Sequence, residues 1–161
     1  MFKYKWLVIL VLFLIPVQPS FAADRTEILG VWKLVSFELE VQATGEREPV
    51  LGKNPTGYCI FTPERCMFVF TAEGRQAPKT DQDRAELYKS MLAYTGKYRL
   101  EGDKWITTVE VSWNPASVGT EQTRFFTIDG DRLHVKTPWQ QLMTRPEKGT
   151  ARTMLTFERV K

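Results

Sequence analysis

Few side chains in this chain of 161 residues have the character that covalent chemistry requires. The single histidine, His134, sits between Leu133 and Val135 in an extended stretch, which turns it away from the apolar face. One histidine without a neighbouring cysteine or carboxylate cluster is a poor transition-metal site, so the residues imply no metal. No Ser-His-Asp set, glycine-rich phosphate loop or Cys-x-x-Cys motif is present, and no cofactor is implied.

Two other groups are better candidates. Cys59 and Cys66 flank a turn at Thr62-Pro63-Glu64-Arg65, where proline already has the backbone angle of a type I turn. With Phe61 opposite Cys66, Cys59, Phe61, Cys66, Phe68 and Phe70 share one face, and Tyr58, Ile60, Met67 and Val69 share the other. The cysteines are then diagonal neighbours, about 7 Å apart at Cβ, which is wide for a disulfide without a local twist or register shift. A disulfide and two buried free thiols are both open readings.

The second group could line a cavity. Tyr58, Trp113, Arg124 and Trp139 are placed near a lumen or its mouth, with Glu110 as the carboxylate partner for a buried Arg124. Such a pair could orient a polar group on a small, mostly apolar ligand. The competing reading is that the aromatics simply fill a core.

The elements that must position these residues are mainly strands. Val31 to Val41 alternates apolar Phe37, Leu39 and Val41 with Glu38 and Glu40, the period of a strand with one wet face. The Gly57–Phe70 hairpin follows. Further β stretches run from Tyr94 to Leu100, Lys104 to Trp113, Thr120 to Ile128, Leu133 to Thr137 and Thr150 to Glu158. On the Lys104 stretch, Trp105, Thr107, Val109, Val111 and Trp113 fall on one face. Asp129-Gly130-Asp131 is a hairpin turn signal. One helix is expected over Thr80–Leu92, capped by Thr80 with Asp83 completing a capping box, and striped by Leu87, Tyr88, Met91 and Leu92. The expected fold is therefore all-β: a small antiparallel up-and-down barrel of about eight strands with one short helix, because closure removes sheet edges.

The start of the chain reads as a secretory signal peptide over residues 1–22. Lys3 and Lys5 precede an apolar run from Trp6 to Ile15, and Ser20 and Ala22 are small at the positions a peptidase must accommodate. That run is too short for a membrane span, which takes about 20 residues. Cleavage takes the 22 basic residues to 20 against 19 acidic ones, so the exported part, 23–161, is almost neutral. Balanced charge argues against nucleic acid as a partner. The expected location is the periplasm or the exterior, with no stable membrane span after cleavage, and an oxidising compartment favours cysteine pairing.

The ordered segments Leu29–Phe37, Pro55–Tyr58, Tyr94–Tyr98, Val111–Pro115, Val118–Phe126, Asp129–Leu133 and Phe157–Arg159 together resemble the bacterial and fungal lipocalin-like domain proteins. The resemblance runs over nearly all of the exported part. It implies a Gly-x-Trp at Gly30 and Trp32 on the first strand, with Trp32 stacked against Arg159 of the last strand at the closed end of a barrel. Many relatives carry a histidine where this chain has Thr107 or Thr108, so the resemblance implies no histidine chemistry here. It lends a fold more than a function.

Three functions follow as expectations: an exported protein binding a small apolar ligand in a barrel cavity; an isomerase or cyclase using that cavity; or an envelope interaction module with a filled barrel and an apolar surface patch. Protein recovered from the exporting cell is expected to begin at Ala23. Intact-mass measurement checks this, and a chain retaining Met1 would show that the leader stays attached.

Overall fold

The computed structural model describes residues 26–141 and 146–161; the leader and its cleavage point lie outside them. Period-two alternation dominates the chain and folds it into strands. In order they are β1 (Gly30–Val41), β2 (Arg47–Pro49), β3 (Thr56–Phe61), β4 (Arg65–Thr71), helix α1 (Asp81–Lys89), β5 (Met91–Glu101), β6 (Lys104–Ser112), β7 (Glu121–Asp129), β8 (Arg132–Lys136), β9 (Gln140–Gln141) and β10 (Thr150–Arg159).

Strands β1, β3, β4, β5, β6, β7, β8 and β10 pair in that order, all antiparallel, and pairing of β10 with β1 closes them into an eight-stranded barrel. This is the expected up-and-down architecture. The short β2 and β9 are additions, paired with β1 and β10. The β3–β4 hairpin has the register read from its turn, with Phe61 opposite Cys66. Its two faces also sort as expected: Cys59, Phe61, Cys66, Phe68 and Phe70 are buried, and Tyr58, Ile60, Met67 and Val69 are exposed.

One end of the barrel is sealed. Trp32 is fully buried and donates its indole N–H to the Ile28 carbonyl at 2.9 Å. The Arg159 guanidinium lies 4.0 Å over the Trp32 ring. It also donates to the carbonyls of Leu29, at 2.9 Å, and Glu27, at 2.6 Å. These bonds hold Ile28 beneath the barrel as a buried plug. Gly30 joins the plug to β1 with a φ of +115°, a conformation that side-chain-bearing residues rarely adopt.

Two expectations need correction. The helix keeps its Thr80 cap and its capping box with Asp83, but it ends at Lys89. Ser90 is its C-cap: the N–H still bonds to the carbonyls of Glu86 and Leu87, but the backbone leaves the helical conformation there, so Met91 and Leu92 belong to β5 rather than to a helix stripe. No residue of α1 is buried. On β6, Trp105, Thr107 and Val109 face inward as expected, but Val111, and Trp113 just past the strand's end, do not. The register slips between Thr95 and Gly96: Thr95 faces Val111 while Gly96 faces Val109, leaving Glu110 unopposed. One extra residue in a strand reverses the facing of those beyond it. A second slip leaves Val35 unopposed in β1.

The β6 bulge brings two backbones very close. A Cβ on Gly96 would lie 1.9 Å from the Thr108 carbonyl oxygen. Gly96→Ala is therefore expected to destabilise the barrel by at least about 2 kcal/mol, or to prevent folding. Gly102→Ala meets no atom within 4 Å in its turn, and should lose only about 1 kcal/mol for its left-handed backbone. Urea midpoints of the two variants check the difference.

Candidate functional site

Aromatic rings occupy most of the barrel interior. Phe68 lies between two others, stacked on Tyr94 at 4.6 Å and on Trp105 at 6.1 Å. Trp105 also meets Phe61 and Phe126. Phe70 packs against Phe37 and Phe157. The remaining cavity measures about 30 Å³ and is bounded by Phe37, Phe70, Leu92, Tyr94, Trp105 and Arg124, among others. That is room for one or two water molecules.

The interior also contains polar groups. The Cys66 thiol lies 3.2 Å from the hydroxyl of the fully buried Thr107. Burial raises the Cys66 thiol to about 11 and raises the Cys59 thiol as well. Both cysteines are free and buried, and neutral thiols are weak nucleophiles. Of the two readings of the pair, the structure contains the free thiols. The Tyr94 side chain keeps some solvent contact, but its phenol group is enclosed; burial raises its pKa, with the Arg124 guanidinium opposing the shift.

A roomier apolar hollow lies outside. The outward faces of β4, β5 and β6 form a groove of about 350 Å³ over Met67, Val69, Ala93, Thr95, Val111 and Trp113. Val111 is 63 % exposed. At one border the α1 residue Tyr88 sets its ring 4.6 Å from that of Trp113, edge to face, and donates its hydroxyl to the Trp113 carbonyl at 3.1 Å. Near the opposite border Arg65 forms an ion pair with Glu110, the bulge residue. A larger hollow beside α1 mixes the charged Glu73, Arg75, Lys79, Asp83 and Glu86 with Ala72, Ala77 and Leu87.

The five residues expected at a lumen are therefore not brought together. Arg124 alone borders the interior. Tyr58 is on the exposed face of β3. Trp113 lines the outer groove because of the bulge. Glu110 is outside and paired with Arg65, so the expected Glu110–Arg124 pair does not form. Trp139 is partly exposed beneath Arg152, whose guanidinium lies 4.2 Å over its ring. His134 is exposed, with its Nδ1 3.4 Å from the Thr156 hydroxyl. Among the described residues no group of three metal-ligating side chains occurs, and no helix is long and apolar enough to cross a membrane. The sequence reading missed Met67, Val69, Ala93 and Val111 as site residues. The available signal was apolar residues on both faces of the β3–β4 hairpin, where a half-wet strand should carry polar ones.

Residues 29–160 match the family described as the lipocalin-like domain. The chain belongs to that family. Among solved structures, this lipocalin-like domain is similar to a lipocalin-like protein from Bacteroides uniformis, at 14 % identity over 83 % of this chain and 99 % of the other, with a TM-score of 0.46. It is also similar to an uncharacterized protein from Bacteroides eggerthii, at 13 % identity over 82 % of this chain and 98 % of the other, with a TM-score of 0.41. No curated protein matches the chain.

Beside Trp139, the lipocalin-like domain carries a compact charge cluster. Glu40 is only 7 % exposed and accepts from Arg47, at 2.9 and 3.1 Å, and from Arg152, at 2.6 Å. The Arg47 hydrogen bonds foremost, with Arg152 adding to them, hold the Glu40 carboxyl below its ordinary value against the effect of burial. A lowered folded-state pKa gives stability that is present above the unfolded carboxylate range and is lost as pH falls through the folded value. Glu40→Gln should lower the unfolding midpoint at pH 7 by about 5 °C. The gap to the unmodified protein should narrow as the pH drops below about 4. Thermal unfolding at pH 7 and pH 3 checks both the drop and its narrowing.

Proposed function

We propose that this exported lipocalin-like protein binds a small, mostly apolar molecule, seated in the outer groove of β4–β6 rather than inside the barrel. One comparison of volumes supports the seat: about 350 Å³ outside against about 30 Å³ inside. Small-molecule sites span about 300–1,000 Å³ and are mostly apolar, with few polar groups. The groove has that character, because Met67, Val69, Ala93, Val111 and Trp113 supply most of its surface. Its Thr95 hydroxyl is already committed to the Cys66 carbonyl at 2.7 Å. Export rests on the basic, apolar and small-residue pattern of residues 1–22. Of the groups an enzyme reading would use, Glu110 lies outside the barrel with Arg65, while Arg124 and Tyr94 border the small interior cavity.

A protein partner on the same face is the second reading. It is favoured by apolar exposure that continues beyond the groove to Tyr58 and Ile60 on β3. A protein interface needs roughly 800 Å² on each partner, and it would extend over those residues.

The test is fluorescence titration with the uncharged dye N-phenyl-1-naphthylamine. The unmodified protein should bind one equivalent. Val111→Glu places a charge in the groove at an exposed position and should weaken binding at least about tenfold, equivalent to about 1.4 kcal/mol. Leu155→Ala, inside the barrel, should leave affinity unchanged. Binding that survives Val111→Glu and changes with Leu155→Ala would move the seat to the lumen. Ile60→Glu separates the two readings: it should spare the dye, whereas a protein interface would be broken by it as much as by Val111→Glu.

A further inference from the structure

Arg124 has an unusual position for a charged residue. It projects from β7 opposite Trp105 and borders the interior cavity amid Phe37, Phe68, Phe70 and Phe157. Among the described residues it has no carboxylate partner. Its guanidinium donates only to neutral acceptors: the Thr123 carbonyl at 2.8 Å, the Gln122 side chain at 3.3 Å and the Tyr94 phenol. None of these three acceptors carries a charge to balance the fixed cation. No acidic side chain borders the cavity.

A second, independent observation comes from the same wall. Trp105 is 1 % exposed, and its indole Nε1 is the one buried side-chain polar atom without a hydrogen-bond partner among the described residues. A buried N–H left unpaired costs about 1–3 kcal/mol. Tyr94, on the same cavity, adds a phenol that burial keeps protonated and able to donate. The cavity is therefore bounded by apolar rings and by three residues that carry hydrogen-bond donors, Arg124, Trp105 and Tyr94.

We propose that this cavity is a binding site for one small monovalent anion of the size of chloride or formate, held by Arg124 with Trp105 and Tyr94. Three observations converge on that class. The volume of about 30 Å³ excludes a larger ligand. The half-buried guanidinium lacks a counter-charge beside a mostly aromatic wall, and charge pairing strengthens as water is displaced. The unpaired indole requires an acceptor, which an anion supplies without bringing a hydrogen that would itself need a partner. A water molecule is the competing occupant, but it would leave Arg124 without a counter-charge. The site is separate from the outer groove and does not depend on what the groove binds.

Thermal unfolding of the exported protein tests this at constant ionic strength, with sodium gluconate replaced stepwise by sodium chloride or sodium formate. Gluconate is too large for the cavity and serves as the inert reference. The midpoint should rise and follow single-site linkage, by on the order of 5 °C at a tenfold excess over Kd. Trp105→Phe preserves a ring in the stack but removes the N–H, and should weaken the anion response several-fold. Arg124→Gln should abolish it, and Arg124→Lys should retain part of it. If Arg124→Gln does not fold, Trp105→Phe and Arg124→Lys still decide. A midpoint in the unmodified protein that is indifferent to the anion would overturn the proposal. So would a response undiminished in both Trp105→Phe and Arg124→Lys.

Discussion

The seam between β1 and β10 determines whether this chain is a barrel or an open sheet with two reactive edges. Hydrogen-bonded pairing runs from Trp32 and Arg159 to Val41 and Ala151. Arg159 secures its sealed end without a carboxylate, stacking on Trp32 while donating to the carbonyls of Leu29 and Glu27. The guanidinium thereby satisfies backbone groups that a short lead-in cannot pair for itself. The consequence is mechanical as well as electrostatic. The lead-in is drawn under the strands, Ile28 fills the opening, and Trp32 has both its ring faces and its N–H accounted for. With that end closed, solvent and ligands approach only the other end or the outer wall.

Closure on eight strands leaves a narrow interior, and the aromatic residues then set how much of it remains empty. Residue type reports what a side chain is made of, not how much space its neighbours leave. The richness in phenylalanine, tyrosine and tryptophan is compatible with a ligand cavity as well as with a filled core. Stacking of Phe68 between Tyr94 and Trp105 resolves it toward filling, because three parallel or nearly parallel rings span much of a small barrel. The same filling explains the thiols. Cys59 and Cys66 sit on adjacent strands but are enclosed by rings, which raises their pKa values and keeps oxidants away, even though export would expose the chain to an oxidising compartment.

Much of the fold was legible because it rests on short-range rules. Period-two alternation located the long strands, Pro63 and Gly130 marked turns, and the Thr80–Asp83 box located the start of the helix. The illegible parts share a cause: two physical solutions fit the same local pattern. Leu87, Tyr88, Met91 and Leu92 make a helix stripe, yet Met91 and Leu92 also pair as strand residues with Thr71 and Phe70, and the tertiary pairing prevails. In β1 the bulge does leave a trace, since buried positions change from even numbers at Trp32 and Leu34 to odd ones at Phe37 and Leu39. In β6 it leaves none. Val111 and Trp113 are apolar, so continuing the inward face through them looked correct.

That hidden bulge accounts for the candidate site. Inserting Glu110 without a partner turns Val111 outward beside Met67 and Val69, and brings Trp113 to the outside, where α1 can meet it through Tyr88. The inserted residue itself faces solvent and pairs with Arg65. A single extra residue thus supplies both the apolar floor of the groove and half of its charged border. An ordinary solvent-facing wall would carry polar residues at these positions. Retaining the bulge also requires glycine at position 96, because the Thr108 carbonyl occupies the space of a Cβ. The backbone irregularity, the glycine that permits it and the apolar groove it produces therefore form one arrangement. A regular β6 would turn Val111 inward and remove it from the floor of the groove.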